Sequence, residues 1–174
     1  MPSDRNPKTA PDLSAIIEGL AEAGIEFIIV GGIAAVVQGA PVTTLDVDIV
    51  HRQTHENISK LFSFLKSVDA VYRRPDDRII APRKEDLFEM GHMLLTTRFG
   101  PLDVLAFIEG KQTYDDLEEN SVEIEFRGHT IRVLEIKTLA ALKKLSRSPK
   151  DKQKLAVLEE TLRQLAGQTT PPDD

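Results

Sequence analysis

The stretch Glu26–His51, EFIIVGGIAAVVQGAPVTTLDVDIVH, decides the fold of the chain. It begins with a short apolar run that predicts a strand and ends on the pair Gly31-Gly32. The next residues, Ile33–Gln38, predict a short helix of about two turns packed on a sheet. A turn-rich connection then leads into a second predicted strand, Leu45–His51, in which apolar and acidic residues alternate.

Asp46 and Asp48 are the acidic residues of this alternation, so both carboxylates are predicted on one face of the strand. Like charges this close raise each other's pKa unless a cation or several donors compensate. A solvated acidic face is one interpretation. The upstream Gly31-Gly32 favours another, because glycines let backbone N–H groups approach a phosphate at a helix N-terminus. Paired carboxylates beside a phosphate are what a Mg²⁺-bound nucleoside triphosphate requires.

Gly31-Gly32, a short helix and Asp46-Val47-Asp48 together resemble the signature of the nucleotidyltransferase superfamily related to DNA polymerase beta. More closely, the pattern is similar to the AbiEii-type and minimal nucleotidyltransferases that often occur in bacterial toxin–antitoxin pairs. The resemblance implies an α+β fold, with a mixed β-sheet flanked by helices and a C-terminal helical pair. It also implies that Asp46 and Asp48 hold metal and that a later strand supplies a third carboxylate.

Asp103 is the candidate for that third carboxylate. The runs MLLTTRF and LDVLAFI flank Gly100-Pro101 and predict a hairpin. The second run is apolar at nearly every position, which predicts a central strand buried on both faces. Asp103 stands at its beginning, where the superfamily pattern has its third acid. A turn-capping aspartate is the alternative.

The C-terminal part predicts two helices broken at Ser148-Pro149. Leucines recur at helical spacing in both: Leu139, Leu142 and Leu145 in the first, then Leu155, Leu158, Leu162 and Leu165 in the second. This part also resembles the AbiEii-type branch at Lys143, Arg147, Lys150 and Asp151. The resemblance implies that Lys143 reaches the triphosphate across the cleft, with an ordinary surface lysine as the alternative.

The sequence predicts a nucleotidyltransferase-like core over residues 11–135, with C-terminal helices packed on it over residues 136–167. Residues 1–10 and 168–174 are predicted to be disordered tails. Between the two halves of the core, AVYRR and RIIAP predict short strands joined by a turn at Pro75-Asp76-Asp77. A later hairpin is predicted from SVEIEF and HTIRVL around Arg127-Gly128.

The composition is that of an ordinary globular protein, with 41% hydrophobic and 29% charged residues in 174. No run has the length of a membrane span, and the polar start differs from a secretory signal, so a cytoplasmic location is the default expectation. The chain has no cysteine, which excludes disulfides and thiolate metal sites. The four histidines match no zinc spacing.

The net charge of −6 argues against broad nonspecific binding of nucleic acid. The charge is unevenly distributed, since the segment Lys137–Lys154 carries seven basic residues and one acidic residue, Asp151. Such a segment can mark a site for phosphates or RNA, although a solvated helix face has the same composition.

The leading prediction is Mg²⁺-dependent transfer of a nucleoside monophosphate from an NTP to a protein or RNA hydroxyl. Asp46, Asp48 and Asp103 would be catalytic and hold two Mg²⁺ ions, with Mn²⁺ able to substitute. The β- and γ-phosphates would be bound by Gly31, Gly32, Thr43, Thr44 and Lys143.

Two departures from the family pattern support a rival prediction. Many members have Gly-Ser where this chain has Gly31-Gly32, and the related branch often has an arginine where this chain has Val42. The rival is an antitoxin-like or degenerate member that acts by contacting a cognate toxin or antitoxin protein. A generic α+β domain that binds no nucleotide is the third interpretation.

Overall fold

A computed structural model describes residues 10–168 of the chain. The predicted tails, 1–10 and 168–174, therefore lie almost wholly outside the described residues. Of the two tail residues that are described, Ala10 has no regular structure and Gln168 ends the last helix.

The described residues form a seven-stranded mixed sheet, which confirms the predicted α+β fold with a mixed sheet. The strands are β1 (Phe27–Val30), β2 (Val47–His51), β3 (Val71–Tyr72), β4 (His92–Thr97), β5 (Gly100–Leu105), β6 (Ser121–Phe126) and β7 (His129–Leu134). Their order across the sheet is β3-β4-β5-β2-β1-β7-β6. The pairs β2–β5 and β1–β7 are parallel and the others antiparallel.

The helices cover this sheet and close its core. They are α1 (Leu13–Glu22), α2 (Gly31–Val37), α3 (His55–Ser67), α4 (Tyr114–Leu117), α5 (Ile136–Lys144) and α6 (Pro149–Gln168), with a 3₁₀ segment at Lys84–Phe88. Leu139 of α5 and Leu158 of α6 belong to the same buried cluster as the strands β1, β2 and β5. No helix within residues 10–168 is both long enough and apolar enough to cross a bilayer.

The two strands that lead to the candidate site are the most deeply buried. All four residues of β1 are buried, as are Val47, Ile49 and Val50 of β2. The neighbouring helix α3 begins at a capped end, because the Thr54 hydroxyl accepts a hydrogen bond from the Asn57 backbone N–H at 3.2 Å.

Asn57 anchors α3 to the strand ends. Its buried side chain accepts from the Glu26 N–H at 2.7 Å and donates to the Glu26 and Arg52 carbonyls at 2.9 and 2.8 Å. Three hydrogen bonds to backbone hold the beginning of β1 and the end of β2 against one helix, so the strands that carry the site have a fixed position.

The element boundaries differ from the sequence predictions around the glycines. Helix α2 begins at Gly31 rather than Ile33, because the pair Gly31-Gly32 forms its first turn. Strand β2 begins at Val47 rather than Leu45, and Asp46 lies in the bend that precedes it. Only Asp48 of the predicted acidic pair is therefore a strand residue.

The predicted hairpin between AVYRR and RIIAP is wrong. Only Val71–Tyr72 is a strand, and it pairs with β4, while residues 78–82 have no regular structure. A single backbone hydrogen bond, Tyr72 N–H to Ile80 O at 2.9 Å, joins the two segments. Prolines at 75 and 82 cannot donate to a strand ladder, which limits pairing on both sides.

Strand β5 lies inside the sheet as predicted, but it is not buried on both faces. Leu102 and Val104 are fully buried, whereas Asp103 and Leu105 on the other face are half-buried. The hairpin β6–β7 and the break before Pro149 are confirmed. Leu145 does not line α5, because the helix has ended at Lys144 and the side chain is 76% exposed.

Candidate active site

Three carboxylates converge at one place on the sheet. Strands β2 and β5 run parallel with Asp48 opposite Asp103, so the two side chains lie on the same face. Asp46 lies two residues before Asp48. One carboxylate oxygen from each of the three residues lies within 4.8 Å of those of the other two. The sequence-predicted acids are therefore together in space, although the chain separates them.

The net negative charge of the three acids at neutral pH is smaller than three carboxylates would carry. Burial, a hydrogen bond with Asp103 and the charges of Asp46 and Asp103 raise the pKa of Asp48 to about 8. Burial and the Asp103 charge also raise the pKa of Asp46. At neutral pH Asp48 therefore keeps a proton. A group of carboxylates that holds a proton in this way is well suited to exchange it for a divalent cation.

The donor set fits magnesium. All the converging atoms are carboxylate oxygens, half-buried rather than sealed, and hard Mg²⁺ and Mn²⁺ prefer such ligands. Softer metals would require nitrogen or sulfur, and neither histidine nor cysteine belongs to this cluster among the described residues.

Arg73 completes the cluster and was not found by sequence reasoning. Its guanidinium donates from Nη2 to Asp103 Oδ1, and the two side chains are 33% and 15% exposed. The residue follows β3, and its backbone N–H donates to Leu94 O on β4 at 2.9 Å. No motif marks Arg73, because its contact with Asp103 depends on the order of strands β3, β4 and β5.

The glycine pair is required by close approach. Gly31 has φ +68°, a region that side chains disfavour, and a Cβ there would overlap the carboxylate of Asp48. A Cβ on Gly32 would lie 2.8 Å from Thr44 Oγ1. These two positions let helix α2 pack directly against the acids and the Thr44 loop.

A cavity of about 550 Å³ opens beside the acids. Its polar and glycine lining includes all the predicted phosphate-binding residues together with two further lysines: Gly31, Gly32, Thr43, Thr44, Asp46, Asp48, Lys143, Lys150 and Lys154. A larger groove, about 840 Å³, lies between α1 and α3. Its charged residues, Glu18, Glu22 and Lys60, are ordinary helix-surface side chains.

The lysines approach the cavity from the two C-terminal helices. Lys150 and Lys154 are one turn apart on α6 and therefore share a face. Lys154 is close enough to Asp46 for its charge to oppose the upward shift in the pKa of that carboxyl. Lys143 of α5 donates to Asp151 at 2.9 Å.

Asp151 is itself a well-held acceptor. It also accepts from Ser146 Oγ at 2.5 Å, and the hydrogen bonds from Ser146 and Lys143 lower its pKa. The Lys143 ammonium is thus positioned at the cavity wall by a carboxylate that stays ionised. Lys143 is neither free in the cleft nor an unattached surface lysine.

The loop before β2 supplies hydroxyls and one apolar residue. Thr44 Oγ1 donates to the Asp46 carbonyl at 3.1 Å, and the same hydroxyl is close enough to the Asp46 carboxyl to oppose the upward shift in its pKa. Thr43 lines the same cavity. Val42 lines it too, at the position where the related branch often has arginine, and the lysines of α5 and α6 supply positive charge to the same cavity.

The solved structures that this chain resembles include an adenylyltransferase. The lincomycin-bound crystal structure of the lincosamide antibiotic adenylyltransferase LnuA matches with a TM-score of 0.55 and 15% identity, over 84% of this chain and 94% of that one. The solution structure of the antibiotic-resistance factor ANT(2'')-Ia has a TM-score of 0.48 and 13% identity, over 84% and 80% of the two chains.

An antigenic nucleotidyltransferase-like protein from Paracoccidioides brasiliensis matches with a TM-score of 0.47 and 16% identity, over 90% of this chain and 86% of that one. No protein-family model and no curated protein sequence matches the chain. The match to LnuA shows a nucleotidyltransferase-like fold, as predicted. Membership of the AbiEii-type branch stays a prediction.

Proposed function

We propose that this protein is a Mg²⁺-dependent nucleotidyltransferase that transfers a nucleoside monophosphate from an NTP to a hydroxyl group. The observation that carries the proposal is the convergence of Asp46, Asp48 and Asp103 beside a cavity whose other walls offer glycines, threonine hydroxyls and lysines. Carboxylates for metal and cations for phosphates on adjoining walls are the combination that a metal-bound triphosphate needs.

Asp46, Asp48 and Asp103 would hold the metal, as two Mg²⁺ ions or Mn²⁺ in their place. When bound, such ions neutralise charge on the α-phosphate and on the departing pyrophosphate. Asp48 would release its proton on forming this site, because its pKa of about 8 reflects burial and like charges that a cation compensates. Asp103 is also proposed as the base that accepts the proton of the attacking hydroxyl.

The β- and γ-phosphates are proposed to lie between the start of α2 and the lysines. Gly31 and Gly32 allow backbone N–H groups to approach them, since no side chain intervenes. Thr43 and Thr44 would contribute hydroxyls. Lys143, positioned by Asp151, would act as a fixed cation with Lys150 and Lys154 beside it. Positioning and charge neutralisation supply most of the catalysis in phosphoryl-type transfer.

The acceptor is proposed to be a hydroxyl of a protein or an RNA, with the chain as one component of a toxin–antitoxin pair in the cytoplasm. The rival is an inactive relative that works by contacting its partner protein. Three carboxylates in reach of one another support the enzyme. The valine at position 42 supports the rival, since the cation expected there is absent.

Incubation with each α-labelled NTP, Mg²⁺ and candidate acceptors tests the proposal. The acceptors are bulk tRNA and co-purifying proteins, and labelled product is expected with at least one combination. Asp48→Asn should abolish transfer with folding intact, because Asn cannot supply a carboxylate to the metal. Equal labelling by Asp48→Asn and wild type contradicts the assignment. Nucleotide binding with no transfer by wild type favours the rival.

A further inference from the structure

We propose that Arg73 and Leu94 form the acceptor-binding subsite and that the acceptor carries a phosphate close to its reacting hydroxyl. The inference rests on the proposed function and deepens it, because it assigns residues and a chemical class to the half of the reaction that the cavity does not hold.

The acceptor has to approach the three acids from the side opposite the leaving pyrophosphate. In an in-line displacement the attacking oxygen and the leaving pyrophosphate lie on opposite sides of the phosphorus. The glycines of α2 follow β1, which pairs with β2 on the side away from β5, and the lysines of α5 and α6 line the cavity together with these glycines. Asp103 lies on the next strand in the opposite direction, followed by β4 and β3. The hydroxyl therefore arrives from the β4 and β3 side.

On that side of the acids, the sheet exposes the side chains of Leu94 and Arg73. Leu94 on β4 is the direct cross-strand partner of Asp103, so its side chain lies on the same face, and it is 46% exposed. Arg73 is hydrogen-bonded through its backbone to Leu94 and through its guanidinium to Asp103. An accessible apolar side chain and a guanidinium thus lie side by side, next to the carboxylate proposed as base.

Arg73 and Leu94 together suit a ligand that has both a phosphate and an apolar surface. A guanidinium binds phosphate with two parallel hydrogen bonds, and an aliphatic side chain offers contact area to a sugar or base. Within residues 10–168, Asp103 is the only side chain that forms an ion pair with Arg73. If Asp103 also binds metal, an acceptor phosphate supplies the negative charge that Arg73 then faces.

Two sources offer this chemistry, namely the terminal nucleotide of an RNA and a small phosphorylated sugar. The probes are a fluorescent pentaribonucleotide with a free 3′-hydroxyl, ribose 5-phosphate, and an unphosphorylated nucleoside. Binding is measured by anisotropy or calorimetry on the full chain, with Mg²⁺ and each non-hydrolysable NTP analogue in turn. RNA binding alone identifies the first source, and ribose 5-phosphate binding the second.

Arg73→Gln should weaken binding of the phosphorylated probe about tenfold or more, because it removes a charge-assisted contact. Because Arg73 also contacts a proposed metal ligand, NTP affinity is measured in parallel, and it should fall less than the affinity for the probe. The matched control is Arg74→Gln. It removes an equal charge at the next residue, where the arginine side chain is paired with Asp76 instead of Asp103. It should bind the probe like wild type. Leu94→Ala should lower the affinity for the probe severalfold, because it removes apolar contact.

Equal probe binding by Arg73→Gln and Arg74→Gln overturns the inference, as does a loss confined to kcat with probe binding unchanged. If wild type binds NTP but neither phosphorylated probe, the acceptor class is wrong and the proposed function stands. If wild type binds neither NTP nor probe, both proposals fail.

Discussion

Asp48 is protonated at neutral pH, whereas an ordinary surface carboxylate is ionised. Its pKa is raised from 3.8 to about 8, chiefly because the side chain is buried and hydrogen-bonded to Asp103. Between these values the folded chain holds a proton that the unfolded chain has released. The contribution of Asp48 to stability therefore falls as pH rises through this window, and it is lost above about 8.

Asp48→Asn removes that titration while keeping the shape of the protonated side chain. In metal-free buffer, the free energy of unfolding of the variant relative to wild type should increase with pH up to about 8 and then level off. Urea unfolding of both proteins across this pH range provides the measurement. The difference between them cancels the contributions of titrating groups that do not interact with Asp48. Parallel stability curves would contradict the protonated state assigned to Asp48.

Gly31 and Gly39 both have positive φ, of +68° and +100°, but only Gly31 touches the acids. Alanine at either position should cost about 1–2 kcal/mol of stability from backbone strain. At Gly31 the new methyl group would also displace the Asp48 carboxylate, whereas nothing lies within 4 Å of a Cβ at Gly39.

Nucleotide affinity measured by calorimetry should therefore be lost in Gly31→Ala and kept in Gly39→Ala. Matched thermal melts separate this local effect from general destabilisation. Comparable nucleotide binding by the two variants would show that the close approach of Gly31 to Asp48 has no part in the site.

At the scale of elements, the C-terminal helices contribute lysines to the lining of the cavity beside the acids. Lys150 and Lys154 lie on the face of α6 that also carries the buried Leu158, so packing of that leucine aims the lysines into the cavity. Lys152 is exposed and does not line the cavity. The two sides of α6 therefore provide an internal comparison of equal charge changes.

Lys154→Met should weaken NTP affinity about tenfold, since a charge-assisted contact to phosphate is lost. Lys152→Met should leave it within about twofold, because an exposed charge directed elsewhere is screened by solvent. Titration of both variants with a fluorescent NTP analogue checks this. An effect of Lys154→Met no larger than that of Lys152→Met would place the phosphates away from the face of α6 that lines the cavity.

The elements also show what could be predicted from the sequence. The acids were predictable, because Asp46 and Asp48 interrupt an apolar pattern and Asp103 stands near the beginning of the apolar run LDVLAFI, although it is the fourth residue of β5. Arg73 and Lys154 were not, since their proximity to the acids arises from strand order and helix packing rather than spacing along the chain. The segment 71–82 misled the prediction because strand-forming residues there are separated by prolines and an Arg74–Asp76 pair.

On the scale of the whole molecule, the sheet and the C-terminal helices divide the proposed work. Strands β2 and β5 bring acids from distant parts of the chain to one point, and α5 and α6 face them with lysines. The net charge of −6 therefore describes neither wall of the cavity. The division of the chain into a core over 11–135 and a helical pair over 136–167 stays a prediction that variants of α6 can test.

A crystal of the wild-type chain soaked with Mn²⁺ and a non-hydrolysable NTP, with anomalous scattering recorded for manganese, tests the central claim most directly. The account predicts manganese bound by Asp46, Asp48 and Asp103, with the triphosphate extending toward Lys143, Lys150 and Lys154. Nucleotide bound elsewhere, or manganese absent from the three carboxylates at saturating concentration, would contradict it.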